Sequence, residues 1–181
     1  RNIMGIRRTP FFDFTDSSDK RNDLTLIIEG KKLFVSRQFL AIHSPVMNTM
    51  FNGKFNEGEK QEIEMENVTY ENFLEMLYVM YPSKKSITGK NAEALLSIAN
   101  YLQITTLTDK VEKYCIHTFH FSLAEKLKLS QDFQLVRLQE SCLISLRSIE
   151  EITDLKNTEE YKFLSNDTKA ALLERIISLS D

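Results

Sequence analysis

The sequence predicts an α+β fold, in which a small sheet flanked by helices is followed by an all-α helical extension. Two observations carry this prediction. Residues 24–35, LTLIIEGKKLFV, contain two short apolar runs separated by a Glu-Gly-Lys-Lys turn, a pattern typical of a β-hairpin. After residue 117 the apolar residues recur only at helical spacing, and no strand pattern follows.

The hairpin and one further strand account for the predicted sheet. Leu24, Leu26 and Ile28 are expected on one face of the first strand, because side chains alternate across a pleated sheet. Gly30 provides the permissive backbone that the turn needs. The strict alternation in residues 62–66, EIEME, predicts a strand with one face in water, which would complete the sheet.

Helices are predicted on both sides of that last strand. Pro45 ends a first short helical pattern in residues 39–43, and Ser44 is placed to cap a second one that runs to Phe51. Apolar residues at helical spacing predict further helices at residues 70–81, 91–102 and 107–116. The predicted organisation is a polar N-terminal segment, residues 1–22, a mixed domain, residues 23–116, and a helical extension, residues 117–181.

Composition favours an intracellular binding module over an enzyme. The chain has 181 residues and only two cysteines, so we expect reduced thiols and a cytoplasmic or nuclear location. Its net charge of −3 argues against a broad basic face for nucleic acid. It has no apolar stretch of membrane-spanning length. Cys115, His117 and His120 lack a second ligand cluster, and the five glycines form no phosphate-binding loop. We therefore predict no catalytic residues, no metal and no cofactor.

The order and spacing of several motifs resemble the BTB/POZ domain over residues 23 to about 116. The first part of the resemblance lies in Asp23, the GKKLFV return of the hairpin, Arg37 and the residues from Phe39 to Phe51. The second part lies in two stretches, IEMENVTYENFLEMLYVMYPS and LLSIANYLQITTL. Motifs of several kinds in one register are more specific than any one of them.

The resemblance implies a substrate adaptor that docks on the N-terminal domain of cullin-3 within a ubiquitin ligase. Adaptors of this family carry a hydrophobic residue, any residue and Glu in the loop before the third strand, and Phe55-Asn56-Glu57 matches that triplet here. Phe55 would fill a pocket on the partner, and Glu57 would accept hydrogen bonds at its rim. In the alternative interpretation Phe55 folds inward and Glu57 is solvated. Tyr101 is expected to border the same surface.

The resemblance also implies a homodimer. Asp23 and Arg37 match the acid and base of a charged pocket at the family's dimer interface, and an exposed ion pair is the alternative. The segment before the first strand often pairs with the partner subunit in this family. Phe11, Phe12 and Phe14 are therefore candidate dimer contacts, and the alternative is that these rings pack on their own domain.

The helices after residue 117 resemble the BACK-like extension of ubiquitin-ligase adaptors. The chain shows no separate domain for recognising substrates, so we expect protein substrates to bind elsewhere, for example through a MATH domain upstream of Arg1. Two other functions stay open at this stage. The chain could dimerise a transcriptional regulator and recruit a corepressor peptide, or it could be a purely structural oligomerisation domain.

Overall fold

The structure is a computed structural model that describes residues 12–52, 61–82 and 85–180. In this part of the chain one small sheet and a larger number of helices form two compact units. The first unit comprises the described residues up to Ile87 together with Ile98–Leu107. The second comprises Thr88–Ser97 and the described residues from Thr108 onwards. The predicted α+β class, with helices alone after the sheet, is confirmed.

The hairpin forms as the sequence predicts. Strand β1 (Leu24–Ile28) pairs antiparallel with strand β2 (Lys31–Val35), so that the two residues of the turn are Glu29 and Gly30. Their φ angles are 50° and 73°, and a tight two-residue hairpin turn of this kind requires positive φ at both positions. Glycine adopts this conformation without strain, whereas Glu29 adopts it at a cost.

A third strand completes the sheet on the other side of β1. Strand β3 (Glu62–Glu64) pairs parallel with β1, with Leu26 opposite Ile63, and the strand order is β2-β1-β3. Ile63 and Met65 are buried while the glutamates between and beside them are exposed, as the alternating pattern predicts. The buried face of β1 and β3 is the centre of the core of the first unit.

Serine or threonine side chains cap the three helices that neighbour β3 in the sequence. The five helices that contribute to the first unit, in whole or in part, are α1 (Arg37–His43), α2 (Pro45–Asn52), α3 (Tyr70–Met80), α4 (Ala92–Tyr101) and α5 (Thr105–His117). Ser44 ends α1 and accepts a hydrogen bond from the Met47 N–H at 3.0 Å, so it caps α2 as predicted. Pro45 occupies the first position of α2, where its missing N–H costs nothing.

The remaining helices belong to the second unit. They are α6 (Leu123–Asp132), α7 (Val136–Ser145), α8 (Ile149–Lys156), a short 3-10 helix (Glu160–Phe163) and α9 (Asn166–Ser180). Ser122 and Glu125 form a reciprocal capping box at the start of α6. Leu127, Leu138 and Leu172 are buried, as expected for helices that pack on one another through one apolar face.

Candidate protein-interaction surface

Phe14 anchors the N-terminal segment to its own domain. Its ring is 1% exposed and lies 4.8 Å from the ring of Tyr81 and 5.3 Å from that of Tyr78, both in edge-on contact. Its carbonyl oxygen accepts a hydrogen bond from the backbone N–H of Phe34 at 2.8 Å, on strand β2. This burial favours the alternative, in which the ring packs on its own domain. A contact of Phe14 with a partner subunit stays a prediction.

Phe12 is more open than Phe14. Its ring is half-buried, with its centroid 4.9 Å from that of Tyr81, and the Arg21 guanidinium lies over it at 4.5 Å. A cation over an aromatic face adds a modest attraction. Phe11, the third predicted aromatic contact, lies outside the described residues. Within the described part of the segment, Phe12 is thus the aromatic residue with surface left to contribute.

Helix α1 adds an apolar surface next to Phe12. The ring of Phe39 packs 3.9 Å from Tyr81 and 4.6 Å from His43, and Ile42 is 71% exposed. Leu40 is the residue of α1 that is buried. Sequence reasoning grouped these apolar residues as one helical pattern and missed the exposed one. The available signal was that α1 has more apolar residues than one buried stripe needs.

Asp23 and Arg37, the predicted charge pair, meet through the main chain. Oδ1 of Asp23 accepts a hydrogen bond from the backbone N–H of Arg37 at 2.7 Å, while the Arg37 guanidinium lies 5.1 Å from the centre of the Phe51 ring. Asp23 is exposed and Arg37 is half-buried. The carboxylate therefore acts as a cap at the positive end of the α1 dipole. The role of the two residues at a dimer interface stays a prediction.

Two more side chains accept hydrogen bonds from the start of α1. Ser36 Oγ accepts from the Phe39 N–H at 3.3 Å, and the hydroxyl oxygen of Tyr81 accepts from the Ser36 N–H at 3.4 Å. Burial raises the pKa of the Tyr81 hydroxyl to about 12. The first turn of α1 is thus held mainly by Asp23 and Ser36, with a longer and weaker contact from Tyr81, and these bonds orient the helix that presents Ile42.

Tyr101, predicted to border the cullin-binding surface, is accessible. It is the last residue of α4, its side chain is 44% exposed, and its hydroxyl donates to the carbonyl oxygen of Glu66 at 3.3 Å. Phe55, Asn56 and Glu57 lie outside the described residues. Helix α2 ends before them in the sequence and β3 begins after them. The role of Phe55, Asn56, Glu57 and Tyr101 in binding cullin stays a prediction.

The residues considered for catalysis or metal binding differ in burial. Cys115 is fully buried, and burial raises the pKa of its thiol to about 11, whereas His117 and His120 are exposed. A thiol that stays protonated at neutral pH is a weak nucleophile and a weak ligand. Across residues 12–52, 61–82 and 85–180, no group of three or more His, Cys, Asp or Glu side chains is placed to hold a metal ion.

No helix among the described residues is long and apolar enough to cross a membrane. The exposed groups that the first unit does present are an aromatic and aliphatic surface on α1 and an accessible tyrosine at the end of α4. Such groups bind by burying apolar area and by making a few hydrogen bonds, which is how one protein contacts another.

Comparison with known proteins agrees with this kind of surface. Residues 12–119 match the family model of the BTB/POZ domain. The nematode Caenorhabditis elegans has two similar proteins: BTB and MATH domain-containing protein 38 is 37% identical over 98% of this chain, and BTB and MATH domain-containing protein 36 is 33% identical over the same share. The matches cover 46% and 55% of those relatives, so the chain spans about half the length of the curated relatives it matches.

A solved structure also resembles part of the chain. The BTB domain of human gigaxonin is 21% identical, with a TM-score of 0.45, and the match covers 53% of this chain and 79% of that domain.

Proposed function

The chain belongs to the BTB/POZ domain family, and from that premise we propose that it is the substrate-adaptor subunit of a cullin-3 RING ubiquitin ligase. The observation that carries the proposal is the match to BTB and MATH domain-containing relatives over 98% of the chain, which includes the helices after the BTB domain. The adaptor itself performs no chemistry. It holds cullin-3 at one surface and a substrate at another.

Docking on the N-terminal domain of cullin-3 is assigned to Phe55, Asn56 and Glu57, with Tyr101 beside them. A hydrophobic anchor next to a carboxylate gives both buried apolar area and a directed hydrogen bond, and a few such residues usually carry most of the binding energy. The 44% exposure of Tyr101 supports its part, because an aromatic ring with a polar end suits the border between a buried contact and water.

Homodimerisation is assigned to the outer face of α1 together with Phe12. The 71% exposure of Ile42 supports this, since a large aliphatic side chain on an ordered helix gains free energy when a second copy covers it. Phe39 and Phe12 extend the surface on either side of Tyr81. Asp23 and Arg37 lie at the first turn of the same helix, where they would set the register of two copies.

Substrates are assigned to a domain outside this chain. The relatives that match over nearly the whole chain are named for a MATH domain in addition to the BTB domain, and about half of their length is not matched. We propose that a MATH domain joined to this chain recognises the protein to be ubiquitinated. A dimer would then present two substrate-binding domains, which raises the effective concentration for substrates with two binding segments.

Calorimetry of this chain against the purified N-terminal domain of cullin-3 tests the proposal, with the mass of the complex measured by light scattering on the same sample. We expect one cullin domain per protomer of a dimer. Phe55→Asp should abolish cullin binding and leave dimerisation intact. Phe119→Asp is the matched control, because Phe119 is fully exposed and the substitution adds the same charge elsewhere in the sequence.

Three results would overturn the assignment. Unchanged cullin affinity of Phe55→Asp would exclude the triplet as the docking segment. A well-folded dimer that binds no cullin would favour recruitment of a corepressor peptide, which a peptide titration would then detect. A complex of four or five subunits would instead favour a structural oligomerisation domain.

A further inference from the structure

Ser44 joins two elements of the first unit through a single buried hydroxyl. Its side chain is 1% exposed, and Oγ donates to the carbonyl oxygen of Leu102 at 2.6 Å while it accepts from the Met47 N–H at 3.0 Å. The first contact reaches the residue that follows α4, and the second caps α2. The hydroxyl therefore links the start of α2 to the end of α4, over a separation of 58 residues.

Tyr101 makes a second link from the same end of α4. Its hydroxyl donates to the carbonyl oxygen of Glu66, two residues after β3. The end of α4 is itself well defined: Gln103 has a φ of 54°, and the Ile104 N–H donates to the Ala99 carbonyl at 2.8 Å, a pattern that closes a helix with a left-handed residue. The α4 terminus thus bonds to α2 on one side and to the chain after β3 on the other.

These two links hold the elements that flank residues 53–60 in the sequence, because α2 precedes that range and β3 follows it. We propose that Ser44 and the Tyr101 hydroxyl are positioning groups for the exposed Tyr101 ring, which the proposed function places at the border of the cullin-docking surface: they set the position of that ring relative to α2 and β3. This inference rests on the proposed function. A surface arranged before binding loses less conformational entropy when its partner arrives, so removing either link should weaken binding without removing a contact.

Conservative substitutions at Tyr101 and Ser44, each with a control, separate a positioning role from a direct contact with cullin. Tyr101→Phe keeps the ring and removes the donor to Glu66, and Ser44→Ala removes both hydrogen bonds of the buried hydroxyl. Ser44→Thr restores a hydroxyl, and the backbone of Ser44, with φ −128° and ψ 111°, is in the extended region that β-branched residues favour. Tyr114→Phe is the matched control, because Tyr114 accepts from Thr118 Oγ1 at 3.2 Å in the second unit.

Calorimetry against the N-terminal domain of cullin-3 gives the first readout. We expect Ser44→Ala to weaken binding by about three- to tenfold and Tyr101→Phe to weaken it less, because the bond from the Tyr101 hydroxyl is exposed and long, at 3.3 Å. Dimerisation should be unchanged in both variants. Ser44→Thr should bind close to the wild-type value, and Tyr114→Phe should match it. The loss caused by Ser44→Ala should shrink in a Tyr101→Ala background, because both changes act on the same ring. Losses that add independently, or wild-type affinity in both single variants, would overturn the positioning role.

Carbonyl ¹³C chemical shifts of the unliganded protein give the second readout. Tyr101→Phe should change the chemical shift of the Glu66 carbonyl and leave that of the Leu102 carbonyl unchanged. Ser44→Ala should change the chemical shift of the Leu102 carbonyl. If neither carbonyl moves, the inference fails whatever cullin does. If both move and the wild-type chain binds no cullin, the two links exist but the proposed function is wrong, and the inference about docking falls with it.

Discussion

Oδ1 of Asp23 lies 2.7 Å from the backbone nitrogen of Arg37, so the acid of the predicted charge pair binds the main chain of its basic partner. This contact depends on the side chain of one residue and on the backbone of the other. It gives Asp23 a structural role within one protomer, whether or not a second copy is present.

Asp23→Ala should therefore destabilise the fold by removing a cap. We expect the free energy of unfolding in urea to fall by about 1 kcal/mol at fixed protein concentration, the usual cost of losing a helix cap. Asp23→Asn keeps an acceptor oxygen and should cost less. If Asp23→Asn were as destabilising as Asp23→Ala, the charge of Asp23, and not its hydrogen bond to α1, would be the stabilising feature.

A second long-range helix cap, Glu112 in the second unit, should contribute more to the free energy of unfolding than Asp23 does. Glu112 is 4% exposed, its Oε1 accepts from the Leu138 N–H at 3.0 Å, and its Oε2 accepts from Arg137 Nε at 2.8 Å. Leu135, at the N-cap position of α7, provides no side-chain acceptor. Glu112→Ala should lower the free energy of unfolding by about 2 to 3 kcal/mol, because the buried Leu138 N–H loses its partner and the Arg137 guanidinium loses a charged one.

The control for Glu112 is Asp109, which contacts the same guanidinium from an exposed position. Asp109 Oδ1 lies 2.5 Å from Arg137 Nη2, and its side chain is 65% exposed. Asp109→Ala should cost less than about 1 kcal/mol, because water screens exposed ion pairs. Equal losses for the two variants in urea unfolding would show that pairing with Arg137, and not the capping of α7, explains the role of Glu112.

The raised pKa of Tyr81 predicts a loss of stability at alkaline pH. Burial raises the pKa of the Tyr81 hydroxyl from its usual 10.0 to about 12, so between these pH values the unfolded state loses its proton first. The contribution of the protonated Tyr81 hydroxyl to the free energy of unfolding is fully present below pH 10. It is lost as the pH rises towards 12, by up to about 2 to 3 kcal/mol.

Urea unfolding at several pH values between 8 and about 11.5 measures this dependence. Tyr81→Phe cannot ionise, so its stability should fall less steeply above pH 10. At pH 8 it should differ little from the wild type, because the bond from the Ser36 N–H is long, at 3.4 Å. Parallel pH curves for the two proteins would contradict the assignment of the alkaline loss to Tyr81.

Two glutamines at helix ends predict stabilising substitutions. Gln103 and Gln134 have φ angles of 54° and 56°, and both follow helices that close by a bond from the next residue back to the helix. A non-glycine residue in the left-handed region costs about 1 to 2 kcal/mol, and glycine avoids this cost. Glycine also has more freedom in the unfolded state, which offsets part of the gain. Gln103→Gly and Gln134→Gly should each raise the free energy of unfolding by about 0.5 to 1 kcal/mol.

Gln139, inside α7, is the control for this pair. Gln139→Gly should lower the free energy of unfolding by about 1 kcal/mol, because glycine in a helix interior costs entropy. Urea unfolding of the three variants measures the effects. If all three substitutions were destabilising, the positive φ angles would not be a source of strain in the folded chain.

Local patterns in the sequence were enough to predict the elements of the first unit. The hairpin, the EIEME strand and the break at Pro45 all depend on residues a few positions apart, and the structure confirms each of them. The predicted helix at residues 70–81 is α3, Tyr70–Met80, for the same reason. Alternation and helical spacing are properties of neighbouring residues, so they can be read without knowing what packs against them.

The predicted interaction residues were harder to place, because exposure depends on neighbours that are distant in the sequence. Phe12 and Phe14 have the same side chain and lie two positions apart, yet Phe14 is 1% exposed, packed against Tyr78 and Tyr81, while Phe12 is only half-buried. On α9 the adjacent Leu172 and Leu173 are 2% and 58% exposed. Residue type alone could not separate the two members of either pair.

The sequence was sufficient for the fold class, for membership of the BTB/POZ family and for the expectation of a binding module, because these follow from short-range periodicity and from motifs in a fixed order. Tertiary structure decided which apolar residues reach the surface and which side chains hold the helix ends. Asp23 caps a helix 14 residues away, Glu112 one 26 residues away, and Ser44 bonds to a carbonyl 58 residues away. Such partners become neighbours only when the core packs, so no local pattern specifies them.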